Sequence, residues 1–212
     1  MLIMTFQHKS SLEQIKSTGR YYCQVDSSYK KETPKIYSYL QELIFERTGV
    51  DSRPVFGWSN LISYTSDENG VFHSMDLFPP SFNSVHAALM KVPFDGEDNF
   101  MYILEIPEDL VVHHDFFDFA CFKTDEDEGV CSDLELRDFI FNSEVSLDRD
   151  VQTCFPYIDK SFVKKVYEFE LITDKFGVKT LDIKFNEIDW CNNEREDGKP
   201  EALSPSSVFG GS

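Results

Sequence analysis

The chain has 212 residues, 41% of them apolar and 15% aromatic, and its 38 Asp and Glu outnumber 20 Lys and Arg to give a formal net charge of −18. That length and apolar content suffice for one core. The charge opposes direct contact with DNA, RNA or an anionic membrane, and no stretch approaches the ~18 uninterrupted apolar residues of a spanning helix. The start of the chain lacks a basic segment followed by a long apolar run, so the expectation is an unexported, cytoplasmic protein. Five cysteines, Cys23, Cys121, Cys131, Cys154 and Cys191, are odd in number and contain no CxxC pair, which argues against a disulfide framework and a zinc finger.

The elements expected in chain order begin with a strand over Met1 to Gln7. A helix follows, N-capped by Ser10 or Ser11 with Glu13 or Gln14 as capping-box partner, facing inward through Leu12 and Ile15 and stopped by Gly19. Arg20 to Val25 reads as a short strand. After Pro34, the residues Ile36, Tyr39, Leu40, Leu43 and Ile44 fall at i, i+3, i+4, i+7 and i+8, which is the clearest amphipathic helix in the chain, and Gly49 ends it.

Arg53 to Ser66 is expected to be a strand or structured loop, followed by turn chemistry at Asp67 to Gly70. The stretch from Asp76 to Asp98, broken by prolines, allows a short helical piece near Ser84 to Met90. Phe100 to Ile106 is a strand ended by Pro107, Val111 to Phe122 a loop with a short helix, and Asp133 to Asn142 a helix. Phe162 to Thr173 and Val178 to Phe185 form a hairpin about Lys175 to Gly177. One domain over residues 1–190 and a flexible polar tail over residues 191–212 result.

The charge is local. Residues 95–150 hold 18 acids against Lys123, Arg137 and Arg149, a net −15, whereas residues 1–94 balance at nine acids and nine bases and residues 151–212 carry 11 acids and eight bases. Such a segment is either a solubilising surface or a docking surface for a basic protein, including one that imitates nucleic acid, with metal binding a third reading.

No P-loop, GxGxxG, GxSxG, HExxH or calcium-loop pattern occurs. His113, His114, Asp115 and Asp118 are ordinary metal-ligand types, but adjacent residues of an extended segment point to opposite sides, and no metal is expected. Asp125 to Glu128 lacks the alternating spacing of a calcium cage. Cys154 and Cys121 read as small buried residues rather than nucleophiles.

Thr5 to Gln7, Ser11 to Gly19, Arg53 to Trp58, Tyr102 to Asp109 and Val151 to Val166 together resemble, in order, an uncharacterised domain family of bacteria and mobile elements. The same order of pieces is similar to the ADP-ribosyltransferase fold. That resemblance implies an α+β domain: a curved, mixed or antiparallel sheet with two N-terminal helices, and NAD as cofactor. It sets Thr5 where such proteins carry a His, Gln7 where they carry a Thr, and Gln152 where they carry a catalytic Glu. A neutral Gln152 keeps a hydrogen bond to ribose and loses the charge that stabilises a developing cation.

Trp58 and Tyr64 occupy the stretch of the nicotinamide-stacking aromatic, against the alternative of core packing. Arg47 and Arg53 are placed to bind a diphosphate, against the alternative of helix-end solvation. Two functions follow. One is an ADP-ribosyltransferase-like, NAD-binding protein whose cleft gathers these residues. The other is a non-enzymatic acidic protein, such as a phage or plasmid inhibitor, that binds a basic protein surface.

Overall fold

A computed structural model describes residues 1–23, 35–60, 63–66, 72–75, 99–116, 118–119, 150–173 and 179–190. The fold is α+β. Its strands are β1 (Leu2–His8), β2 (Arg20–Tyr21), β3 (Val55–Asn60), β4 (Ser63–Ser66), β5 (Phe72–Met75), β6 (Asn99–Glu105), β7 (Val112–Asp115), β8 (Val151–Phe155), β9 (Ile158–Asp159), β10 (Val163–Thr173) and β11 (Lys179–Glu187). Its helices are α1 (Ser10–Thr18) and α2 (Lys35–Thr48).

Seven strands form one sheet in the order β11-β10-β6-β1-β3-β8-β7, and each pairing among the described residues is antiparallel. The short pairs β2 with β9 and β4 with β5 stand outside it.

Both faces of the sheet are covered, and each has its own helix. One core gathers Leu12 and Ile15 of α1 with Ile3, Val55, Tyr102, Leu104, Phe155 and Val166. The other gathers Leu40 and Ile44 of α2 with Val112 and Cys154, and Phe56 packs against it. Because side chains alternate along a strand, β3 sends Val55 to the first core and Phe56 to the second, and β8 does the same with Phe155 and Cys154.

Each helix ends as its glycine demands. Gly19 (φ 81°) and Gly49 (φ 70°) adopt the left-handed conformation that L residues resist, and their amides return to the carbonyls of Ile15 and Phe45 at 2.9 and 2.7 Å. The start of α1 differs from expectation. Lys9 occupies the cap position without a side-chain bond, because Ser11 is buried and its hydroxyl is shared with Tyr102 Oη at 2.6 Å. That bond ties α1 to β6, and burial pushes the Tyr102 phenol up to about 12.

Further differences lie at the acidic end. Val112–Asp115, expected within a loop and short helix, is the edge strand β7, held by pairing with β8. The β10–β11 hairpin forms as expected, and Trp190 closes the first core. The expected elements over Ser84 to Met90 and Asp133 to Asn142, the turns at 67–70 and 175–177, and the tail over residues 191–212 lie outside the described residues.

Gly57 sits where neighbouring strands pack closely. A Cβ there would meet Ile3 Cγ2, with Met4 O at 3.0 Å and Phe155 Cε1 at 3.3 Å. Gly57→Ala is therefore expected to lower stability by about 1–3 kcal/mol through overpacking. Urea unfolding checks this: the midpoint should fall with an unchanged slope, and an unchanged midpoint would mean that β1 and β8 stand farther from Gly57.

Candidate functional site

The candidate residues do not share a surface. On β1, Thr5 and Gln7 alternate with Met4, and Met4 is the register partner of Trp58. Trp58 is in turn opposite Gln152, and Gln152 is opposite His114. Directly opposed residues of antiparallel strands project from the same side, so Met4, Trp58, Gln152 and His114 form one row across four strands. Thr5 and Gln7 project from the other side. The expectation that Thr5, Gln7, Trp58 and Gln152 gather in one hollow is corrected here, and the reason is the period of two along β1.

Each half is also internally occupied. Thr5 is 1% exposed and donates its hydroxyl to Phe56 O at 2.5 Å, while Gln7 Nε2 donates to Thr5 Oγ1 at 2.8 Å. Beyond them on the same face, the Thr153 hydroxyl donates to Ser59 Oγ at 2.7 Å and lies 2.9 Å from His113 Nδ1. A hydroxyl has one proton, so with Thr153 donating to Ser59 the His113 Nδ1 carries hydrogen and donates. Burial, and then the charge of Arg47, lower the pKa of His113, which favours the neutral ring.

On the opposite face Trp58 is 2% exposed, its ring 5.0 Å from that of Phe116. Core packing, the alternative weighed for Trp58, is what the structure shows. His114 is stacked on Phe119 at 4.5 Å between centroids, with Nε2 3.5 Å from Cys154 Sγ. Burial pushes the Cys154 thiol well up, which makes it a packed small residue rather than a nucleophile. Gln152 is 7% exposed, and no described residue offers its side-chain amide a hydrogen bond.

The remaining candidates are dispersed. Tyr64 lies in the β4–β5 hairpin opposite Ser74. Arg47, at the end of α2, reaches Glu108 O at 3.4 Å, and the half-buried Arg53 precedes β3. His113 and His114 project from opposite faces of β7. Among the described residues no group of three or more His, Cys, Asp or Glu is placed to hold a metal ion, and no helix is long and apolar enough to cross a membrane.

The described acids of residues 95–150 also divide between surface and interior. Glu105, Glu108 and Asp109 are exposed, the last two on a 3-10 turn after β6. Asp115 and Asp150 are buried, and Asp115 Oδ1 accepts the Asp118 amide at 2.9 Å. Sequence reasoning had no access to the His113–Thr153–Ser59 chain, whose members are 40 and 94 positions apart. It also did not foresee a hollow of about 360 Å³ on the outer side of α2, lined by Ser38, Gln41, Glu42, Phe45 and Asp51. The exposed Phe45 amid polar residues of an otherwise regular stripe was its one sequence signal.

Comparison with known protein families, curated proteins and solved structures finds no match to this chain.

Burial holds the His114 imidazole down at about 4, against 6.5 for a free histidine. The unfolded chain therefore takes up this proton first as pH falls, and stability is lost between about pH 6.5 and 4, by at most about 3 kcal/mol. Urea unfolding of the protein and of His114→Gln across that window checks it: the wild-type slope with pH should exceed the variant's, and parallel slopes would contradict a buried neutral imidazole.

A second substitution addresses the Gln152 amide, to which no described residue offers a hydrogen bond. Gln152→Met should leave stability unchanged or raise it by about 1 kcal/mol, since a buried amide without partners is costly. A loss above about 2 kcal/mol in thermal unfolding would reveal a bonded amide.

Proposed function

We propose that this protein is a non-enzymatic acidic interaction protein that docks onto a basic protein surface. The concentration of a net −15 in residues 95–150 carries the reading. A field of one sign raises the encounter rate with an opposite surface and repels nucleic acid and anionic lipid. A phage or plasmid inhibitor that covers a basic nucleic-acid-binding surface has this chemistry. The geometry supports it by subtraction: the side chains that a nucleotide cleft would need are parted by the sheet, with Thr5 bonded to Phe56 O and Trp58 enclosed beside Phe116.

Binding of labelled poly-lysine, followed by anisotropy, tests the reading. Affinity should be highest at low salt, where the Debye length is about 30 Å, and fall steeply by about 0.15 M. Changing Asp125→Asn, Glu126→Gln, Asp127→Asn and Glu128→Gln together should weaken it roughly tenfold, at about 0.3–0.5 kcal/mol per lost charge pair. Absence of binding at low salt, or affinity unmoved by the four substitutions, would overturn the docking role of this segment.

One observation favours a second reading, an ADP-ribosyltransferase-like protein that binds NAD. The Gln152 amide, to which no described residue offers a hydrogen bond, stands across from Trp58, and an amide beside an indole suits a planar carboxamide such as nicotinamide. Calorimetry with NAD at millimolar concentration separates the two. The first reading expects no heat; heat that disappears in Gln152→Met would carry the second.

A further inference from the structure

The geometry points to the outer face of α2 as a docking site for a basic segment of another protein, one that presents an apolar side chain between lysines or arginines. This rests on the acidic-interaction reading above and gives it a location.

The amphipathic pattern of α2 defines the site. Leu40 and Ile44 are fully buried, so the stripe on the opposite side carries Ser38, Gln41, Glu42 and Phe45 at i, i+3, i+4 and i+7. Three of these are polar, as a solvated face requires. Phe45 is not: it is 51% exposed, the most exposed of the large apolar side chains among the described residues. An aromatic ring left half in water forgoes part of its burial free energy, which a partner can recover. A lone exposed apolar residue is common, but this one borders a hollow rather than a flat surface.

That hollow, about 360 Å³, lies between α2 and the segment after it, and is lined by Ser38, Gln41, Glu42, Phe45 and Asp51. Gln41 Nε2 donates to Asp51 Oδ1 at 2.7 Å, which fixes the Asp51 carboxylate at the rim. Glu42 is exposed on the helix. Two carboxylates therefore flank the ring, and among the described residues no basic side chain lines the hollow. Arg47, two positions after Phe45, reaches Glu108 O instead.

The same bond brings the exposed acids Glu108 and Asp109 to the end of α2. The start of the acidic segment thus stands at the same end of α2 as Phe45. A second copy of the chain would bring like charge to like charge, whereas a basic partner is complementary: its apolar side chain covers Phe45 while flanking ammonium or guanidinium groups meet Glu42 and Asp51.

The test uses isotopically labelled full-length protein and two peptides, Lys-Lys-Leu-Lys-Lys and its Lys-only counterpart, followed by amide chemical shifts at low salt. The leucine peptide should perturb residues 38–51 and lose about fivefold or more of its affinity in Phe45→Ala, the scale of a contact side chain at an interface. It should also weaken in Glu42→Gln. The Lys-only peptide should bind wild type and Phe45→Ala alike. Phe45 is exposed, so its truncation leaves the core intact, and a native circular dichroism spectrum verifies this. Perturbation confined to other acidic residues, with Phe45→Ala without effect, would overturn the α2 site and leave the acidic-interaction reading standing. Failure of both peptides, and of poly-lysine, to bind would remove both.

Discussion

The two-sided burial of the central sheet governs what this protein can do. With α1 sealing one face through Leu12 and Ile15 and α2 sealing the other through Leu40 and Ile44, the buried residues of β1, β3 and β8 are each committed to one of two faces. The strands lie about 5 Å apart, and at Gly57 the fit leaves no space for a methyl group. Residues adjacent in sequence, such as Phe56 and Gly57 or His113 and His114, consequently share no environment. A cleft cannot draw side chains from both faces of such a sheet.

Much of the fold was legible in the sequence because its signals are local. The apolar spacing of α2, the glycines at 19 and 49, the strand before Pro107 and the β10–β11 hairpin each follow from residues within a few positions of one another. What stayed hidden depends on pairing across the chain. Strand β7 is a strand because β8 binds it, and its sequence, with two histidines and an aspartate, has weak strand propensity of its own. Ser11 resembles a helix cap and is diverted by Tyr102, 91 positions away. The face on which Gln7 or Gln152 projects is set by register, which a single strand does not encode.

The candidate site was legible only as a set of residue types. Thr5, Gln7, Trp58 and Gln152 have suitable chemistry for a ribose and a nicotinamide, yet composition carries no information on which sides of a sheet they occupy. Trp58 proved to be core, as aromatic side chains usually do. The local concentration of acid is different in kind. A net charge over a segment acts at the range of the Debye length, and its sign does not depend on the placement of any one carboxylate, although Asp115 and Asp150 are buried among their neighbours. The hollow beside Phe45 unites both scales, with an apolar contact for specificity and carboxylates for attraction.

The separation of the two faces is most directly measured by nuclear Overhauser contacts of the Trp58 indole in protein with labelled Trp, Phe and Gln side chains. The expected spectrum links the indole to the Phe116 ring, whose centroid is 5.0 Å away, and shows no contact with the Gln7 amide, which instead reports on Thr5. A contact between Trp58 and Gln7 would place both on one face, restore a common cleft, and contradict the separation of the two faces by the sheet.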